Sequence, residues 1–123
     1  MKTAVLRCCG EDLIGIVELA VGLRDRMVGL LGRDSLGGGK AMYLSPCNCI
    51  HTFFMRFNLD LIFLDRSQRV VRIVREIRPN RIASGGAGAH SVIEMESGWF
   101  LTEKVRVGEQ VELIDASTGE RQA

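Results

Sequence analysis

Residues 59–77 of the chain read LDLIFLDRSQRVVRIVREI. The first six residues are almost continuously apolar, which is typical of a central strand covered on both faces. A polar turn at residues 65–68 follows, and then a second run rich in valine and isoleucine. Because branched side chains pack well on a pleated surface, we interpret the stretch as a β-hairpin. The valines and isoleucines of residues 70–77 also fit one face of a helix, so that alternative stays open.

The rest of the chain alternates short apolar runs with turns. We expect further strands at Thr3–Arg7, Asp12–Leu19, Ala41–Leu44, Cys49–Met55, Ser91–Glu96 and Gln110–Asp115. The apolar spacing changes to a helical period over Val21–Leu31, which predicts one amphipathic helix. Pro79–Ala89 is glycine-rich and is expected to be a loop. Seven or eight short strands with one helix predict a mainly β fold, a β-sandwich or barrel with the helix packed against it.

Length and composition narrow the class of protein. With 123 residues the chain is expected to be one domain, with residues 116–123 as a frayed tail. A net charge of +1 favours neither nucleic acid nor an anionic membrane as partner. No secretory signal and no run of about 20 apolar residues is present, so we expect a soluble, cytoplasmic protein with reduced cysteines.

Several blocks occur in an order that resembles a known family. They are RDRMVGLLGR at residues 24–33, HTFFMRFNLDLIFLD at 51–65, VIEM at 92–95 with Gly98, and VGEQV at 107–111. Together they resemble the domain of unknown function 192 and cover nearly the whole chain. The resemblance implies a single, mainly β domain similar to a jelly roll with one helix, and it implies no activity. Phe54 and Arg56 depart from the commonest pattern, which has Trp and Lys there, and the secretion signal of many members is absent.

The segment around two cysteines is a candidate metal site. In an extended strand Cys47, Cys49 and His51 would share one face, and thiolate and imidazole suit zinc. The spacing is atypical, and no second matching pair of ligands exists, so small buried side chains are the preferred interpretation and we expect no metal. The glycines of residues 84–88 are not followed by the lysine of a phosphate-binding loop, and we expect no cofactor.

A second constellation is polar. Asp60 opens the most apolar strand, and a carboxylate there needs a partner or water. We hypothesise that polar side chains converge on a pocket at one end of the fold and bind a small anionic molecule or peptide. Arg56 would bind the anionic group, and Asp60 and Glu94 would orient the ligand. Phe54 and Trp99 would form an apolar wall of the pocket. The predicted site residues are His51, Arg56, Asp60, Glu94, Phe54, Trp99, Arg26 and Arg33.

Other functions stay open beside this binding domain. A structural ion-pair network would use the same residues, and an enzyme could use His51 or Asp60 as acid–base on a small substrate, although no hydrolase motif is present. The clustered aromatic side chains would form a protein-interaction patch if they were exposed. Arginines at every third position from Arg66 to Arg81 alternate faces on a strand, which disfavours a nucleic-acid stripe and predicts a solvated surface. Oligomeric state and protein partner are open.

Overall fold

A computed structural model describes residues 2–20, 40–53, 55–98 and 104–121. Within these ranges the chain forms nine strands and no helix, so the predicted mainly β class is confirmed. The strands are β1 (Thr3–Cys8), β2 (Glu11–Ala20), β3 (Lys40–Leu44), β4 (Cys49–His51), β5 (Leu59–Leu64), β6 (Val70–Ile77), β7 (Ile82–Ser84), β8 (Ser91–Glu96) and β9 (Val111–Asp115). The helix predicted over Val21–Leu31 lies outside the described residues.

Seven strands form one mixed sheet in the order β6-β5-β8-β3-β2-β1-β9, and β4 pairs with β7 in a separate two-stranded sheet. Among the described strands, only β2 and β3 are parallel neighbours; the other paired strands are antiparallel. No helix that could cross a membrane occurs in the part of the chain that the structure describes.

The barrel that we expected is not formed. Closure needs the two edge strands to pair along their length, and here a single bridge between Arg69 and Gln110 links the approaches to β6 and β9. Bulges bend β6, and a bent edge strand follows its neighbour poorly. The second sheet has only two strands of three residues, so two sheets of similar size, as in a jelly roll, are not present either.

The large sheet buries side chains on both faces. Tyr43, Ile93 and Ile62 lie side by side across β3, β8 and β5 and belong to one hydrophobic cluster. On the opposite face, Met42 and Leu61 flank Glu94, and both belong to a second cluster. The two-stranded sheet contributes Ile50 and Ala83 to this second cluster, so it covers that face.

Strand β6 explains the ambiguous spacing of its sequence. Its pairing with β5 has two register shifts, each with an extra residue on β6. An extra residue reverses the alternation of faces, so residues three apart share a face: Val70 and Ile73 contact one cluster, and Val74 and Ile77 the other. The helix-like spacing is therefore produced by bulges in a strand, and the predicted hairpin is confirmed.

Two stretches differ from expectation. Strand β4 ends at His51 rather than Met55, because buried Thr52 turns the chain by bonding its amide to the Arg81 carbonyl at 2.8 Å and its hydroxyl to the Arg78 carbonyl at 2.6 Å. Strand β7 lies within the segment that was predicted to be a loop. It was missed because three residues are too few to show the alternation of apolar and polar side chains that indicates a strand. Within the predicted tail, an ion pair of 2.7 Å joins Arg121 to Glu112 of β9.

Substituting Gly85 tests how tightly the loop after β7 packs on the large sheet. A Cβ at this position would lie 2.5 Å from the Ala89 Cβ and 2.6 Å from Cγ of buried Phe63. We expect Gly85→Ala to destabilise the fold by roughly 1–3 kcal/mol, the usual cost of overpacking. Gly88→Ala is the matched control, since nothing lies within 4 Å of its Cβ position. Urea denaturation of both variants measures the difference, and equal midpoints would contradict this packing.

Candidate functional site

The candidate site is a groove of about 760 Å³ formed by three loop segments. It is lined by Pro46, Cys47, Asn48, Cys49, Asp65, Arg66, Ser67, Ala87, Gly88, Ala89 and His90. The first segment follows β3, the second is the turn between β5 and β6, and the third precedes β8. Pockets for small molecules commonly measure about 300–1,000 Å³, so the volume suits such a ligand.

Backbone hydrogen bonds hold the walls of the groove together. The Cys47 amide donates to the His90 carbonyl at 2.7 Å, and the His90 amide donates to the Leu64 carbonyl at 2.7 Å. The Gly85 amide donates to the Asn48 carbonyl at 2.9 Å. Because these bonds join all three segments to the end of buried β5, little ordering would be needed when a ligand binds.

The turn beside the groove is fixed by its own carboxylate. Asp65 Oδ1 accepts hydrogen bonds from the Ser67 amide at 2.8 Å and from the Arg69 amide at 3.0 Å. This local bonding is the usual role of aspartate in a turn. The neighbouring Arg66 is exposed, and its guanidinium has no hydrogen bond or ion pair to any residue that the structure describes. The groove therefore presents a cationic group.

The other functional groups that line the groove include two thiols and an imidazole. Cys47 is partly buried and its thiol donates to the Cys49 carbonyl at 3.3 Å, whereas Cys49 is exposed. His90 is partly buried and has both backbone groups committed to the walls. The lining thus combines a guanidinium, an imidazole and two thiols with the Asp65 carboxylate.

Asp60, a predicted site residue, has a structural role in the described fold. It is 4% exposed, and its Oδ1 accepts from the Glu76 amide at 2.8 Å and from the Ser97 hydroxyl at 2.8 Å. Glu76 lies in a β6 bulge with a φ of 55°, a backbone region unusual for a residue with a side chain. The carboxylate therefore stabilises the bulge and the turn after β8.

Glu94, the other predicted carboxylate, lies on the opposite face of the sheet. It pairs with Leu61 across the β5–β8 ladder, whereas Asp60 pairs with Met95. Cross-strand partners share a face and successive residues alternate, so the structure does not bring Asp60 and Glu94 together. Glu94 is 7% exposed, and burial raises its pKa from the ordinary 4.5 to about 7.

The other predicted site residues are dispersed or undescribed. His51 is exposed at the end of β4, where its Nδ1 accepts from the Phe53 amide at 3.3 Å and its ring stacks on Phe53 with centroids 5.0 Å apart. Arg56 is exposed in the loop before β5. The remaining four, which are Phe54, Trp99, Arg26 and Arg33, lie outside the described residues.

The metal candidate of the sequence is not assembled. Cys49 and His51 share the exposed face of β4, but Cys47 lies before the strand. Among the described residues, the group of metal-binding side chains whose ligand atoms lie within 4.8 Å of one another comprises Cys8, Cys9 and Glu109. The donors of the candidate site therefore do not meet, because the chain is not extended before Cys49.

The groove was not predicted from the sequence, although two of its cysteines were singled out. Most of its other residues come from the turn at 65–68 and from the segment at 79–89, which was predicted to be a loop. One signal was available: a polar run directly after the apolar run 59–64 predicts that the turn lies at the end of a central strand.

Comparison with known proteins agrees with this fold. The profile of the DUF192 family, described as "Uncharacterized ACR", matches residues 10–113. The chain belongs to the DUF192 family. It is 36% identical over 105 residues to a UPF0127 protein of Pyrococcus abyssi, covering 81% of this chain and 87% of that protein.

Two solved structures resemble this DUF192 chain in fold. A protein of unknown function from Novosphingobium aromaticivorans has a TM-score of 0.75 at 21% identity, over 89% of this chain and 83% of that one. A protein from Sinorhizobium meliloti has a TM-score of 0.74 at 21% identity, over 91% of this chain and 92% of that one. At this identity the likeness concerns the fold alone.

The role of Asp60 can be tested by removing its acceptor. Asp60→Ala leaves the Glu76 amide and the Ser97 hydroxyl without their partner, and we expect a loss of about 1–3 kcal/mol in the free energy of unfolding. Asp60→Asn keeps an oxygen acceptor and should cost less. Urea denaturation measures both; a neutral Asp60→Ala would show that the carboxylate does not hold the bulge.

Burial of Glu94 predicts a dependence of stability on pH. Its folded pKa of about 7 exceeds the ordinary 4.5, so the folded state binds the proton more firmly than the unfolded state. The contribution of Glu94 to stability should be greatest below pH 4.5 and fall as the pH rises through about 7, by roughly 3 kcal/mol in total. Glu94→Gln should remove this fall, whereas Glu11→Gln, at an exposed position, should keep it. Urea denaturation across this range tests it; identical slopes in wild type and Glu94→Gln would refute the effect.

Proposed function

We propose that this DUF192 protein is a binding domain whose groove holds a carboxylate-bearing molecule, either a small acid or the carboxyl end of a peptide. The observation that carries the proposal is the unengaged guanidinium of Arg66 at a groove of about 760 Å³ with walls joined by backbone hydrogen bonds. The proposal keeps the anionic ligand inferred from the sequence and changes its location.

The chemistry of the lining supports a carboxylate as ligand. A guanidinium offers paired N–H donors in a plane and matches the two oxygens of a carboxylate. The nearby Asp65 already accepts two amide hydrogen bonds, so its charge is partly compensated within the turn. The net charge of the chain is only +1, so attraction of an anion would depend on this local cation.

The site proposed from the sequence has weaker support. Its anion-binding residue would be Arg56, with Asp60 and Glu94 beside the ligand, but these two carboxylates occupy opposite faces of the sheet. Asp60 is also engaged by two donors, and His51 lies exposed on another element. These contacts favour binding over acid–base catalysis by His51 or Asp60.

A protein-interaction role is the second candidate. Ile82 is 67% exposed and pairs with His51 across the small sheet, and Phe53, stacked on His51, is 39% exposed. Ile82 on β7 and Phe53, two residues after the end of β4, form an apolar patch around His51, apart from the lining of the groove. Such a patch suits a partner surface better than a small molecule.

Titration of the groove with carboxylates tests the binding proposal. We expect succinate and a short peptide with a free carboxyl end to shift backbone amide NMR signals of residues 47–49, 65–67 and 87–90. The same peptide with an amidated end distinguishes the sources: if only the free peptide binds, the ligand is a peptide end; if succinate binds as well, any small carboxylate suffices.

A matched pair of variants assigns the binding to Arg66. Arg66→Gln should weaken the carboxylate affinity about tenfold or more, the equivalent of one charge-assisted hydrogen bond of roughly 1.5–3 kcal/mol. Arg78→Gln removes the same charge at an exposed position outside the groove and should leave the affinity unchanged. No shift with any carboxylate, or equal weakening in both variants, would reject the groove as an anion site and favour the interaction role.

A further inference from the structure

We infer that Cys8, Cys9 and Glu109 form a binding site for a zinc-class divalent cation, separate from the groove. Cys8 and Cys9 are adjacent, Glu109 lies 100 positions after Cys9, and the ligand atoms of the three side chains lie within 4.8 Å of one another. Two thiolates and a carboxylate are the donor types that zinc and its soft relatives select. The inference does not depend on the proposed function.

The distances suit a metal ion. The Cys8 and Cys9 sulfurs are 3.4 Å apart, and the Cys9 sulfur is 3.1 Å from Glu109 Oε2. A tetrahedral zinc with ordinary bond lengths would separate two sulfurs by about 3.8 Å and a sulfur from an oxygen by about 3.5 Å. The donors would need to spread by only a few tenths of an ångström to admit the ion.

The backbone places Cys9 among these donors in an unusual conformation. Cys9 and Gly10 join β1 to β2 and have φ values of 56° and 80°, so both are left-handed. A two-residue hairpin of this kind favours asparagine, aspartate or glycine at its first position, not cysteine. Such strain often accompanies a functional position, and here it holds the Cys9 thiol beside Cys8 and Glu109.

The carboxylate is held in position by a second bond. Glu109 Oε1 accepts from the Arg106 amide at 2.6 Å, while Oε2 faces the Cys9 thiol. Metal ligands are commonly oriented by outer hydrogen bonds of this sort. Cys8 is 3% exposed, with its sulfur 3.8 Å from the Gln110 carbonyl, whereas Cys9 is exposed. One side of the cluster is therefore anchored in the core, and the other is open to an incoming ion.

Binding would exchange two protons for the cation. Each thiol releases its proton to solvent as its sulfur bonds to the metal, and the carboxylate enters already ionised. Two thiolates and one carboxylate carry three negative charges, of which a divalent ion neutralises two. With three protein ligands, the fourth position of a tetrahedral ion is left for water, as in zinc sites that stay open to small molecules.

The test is titration of the reduced protein with cadmium alone, followed by thiolate-to-cadmium absorption in the ultraviolet, and with zinc alone by equilibrium dialysis. We expect one ion per chain in both cases. Cys9→Ser should weaken binding by more than the roughly 10–100-fold that loss of an outer hydrogen bond costs. Glu109→Gln should weaken it less, and Cys49→Ser, which removes an exposed thiol in the groove, should leave it unchanged.

A further variant separates metal binding from folding. Glycine suits the left-handed conformation of residue 9, so Cys9→Gly should be at least as stable as the wild type without metal and yet bind no cadmium. A wild type that binds neither ion under reducing conditions would overturn the inference. It would equally be overturned if Cys9→Gly retained the ion while Cys49→Ser lost it, because the ligands would then lie in the groove.

Discussion

Exclusion of water from both faces of β5 is the constraint on which the rest of the structure depends. Every residue of Leu59–Leu64 is buried, and its side chains alternate between two hydrophobic clusters. Burial of apolar surface at roughly 25 cal/mol per Å² is the main stabilising contribution to such a sheet. A strand with no free face needs cover on both sides. On one side its residues belong to a hydrophobic cluster built from the other strands of the large sheet, and on the other side the small β4–β7 sheet helps to cover it. The groove follows from the same constraint, since its turn and its loops attach to the end of this strand.

Much of the β class could be predicted because most strands are apolar runs bounded by turn residues. The hairpin of β5 and β6 was recognised from its branched residues. The spacing of apolar residues within β6 was ambiguous, because two bulges interrupt the alternation of side chains between the two faces. No local pattern in residues 70–77 indicates a bulge. The prediction of a barrel was wrong for a related reason. Closure of a barrel depends on whether the two edge strands pair along their length, and the sequence of neither strand alone determines this.

The candidate site was harder to predict, because it depends on which face of the sheet each side chain occupies and on the conformation of loops. Asp60 and Glu94 are both polar residues in apolar strands, but the register of β5 against β8 puts them on opposite faces of the sheet. A shift of one residue in this register would have put both carboxylates on the same face. Cys47 and Cys49 were predicted as candidate ligands from their side-chain chemistry. The backbone hydrogen bonds that hold them in one groove with Arg66 and His90 cannot be predicted from residue types. Cys8 and Glu109 are about a hundred positions apart, and only the pairing of β1 with β9 makes them neighbours.

That pairing also affects how the chain is made. Strand β1 sits between β2 and β9 in the sheet, so β1 is synthesised about a hundred residues before the strand that covers its outer edge. Until β9 is made, this edge exposes unpaired amide and carbonyl groups, and such edges recruit other chains. Long-range pairing of this kind also slows folding, because a large loop must close before the contacts form. Until residues 111–115 are made, the chain therefore carries an open strand edge of the kind that chaperones shield.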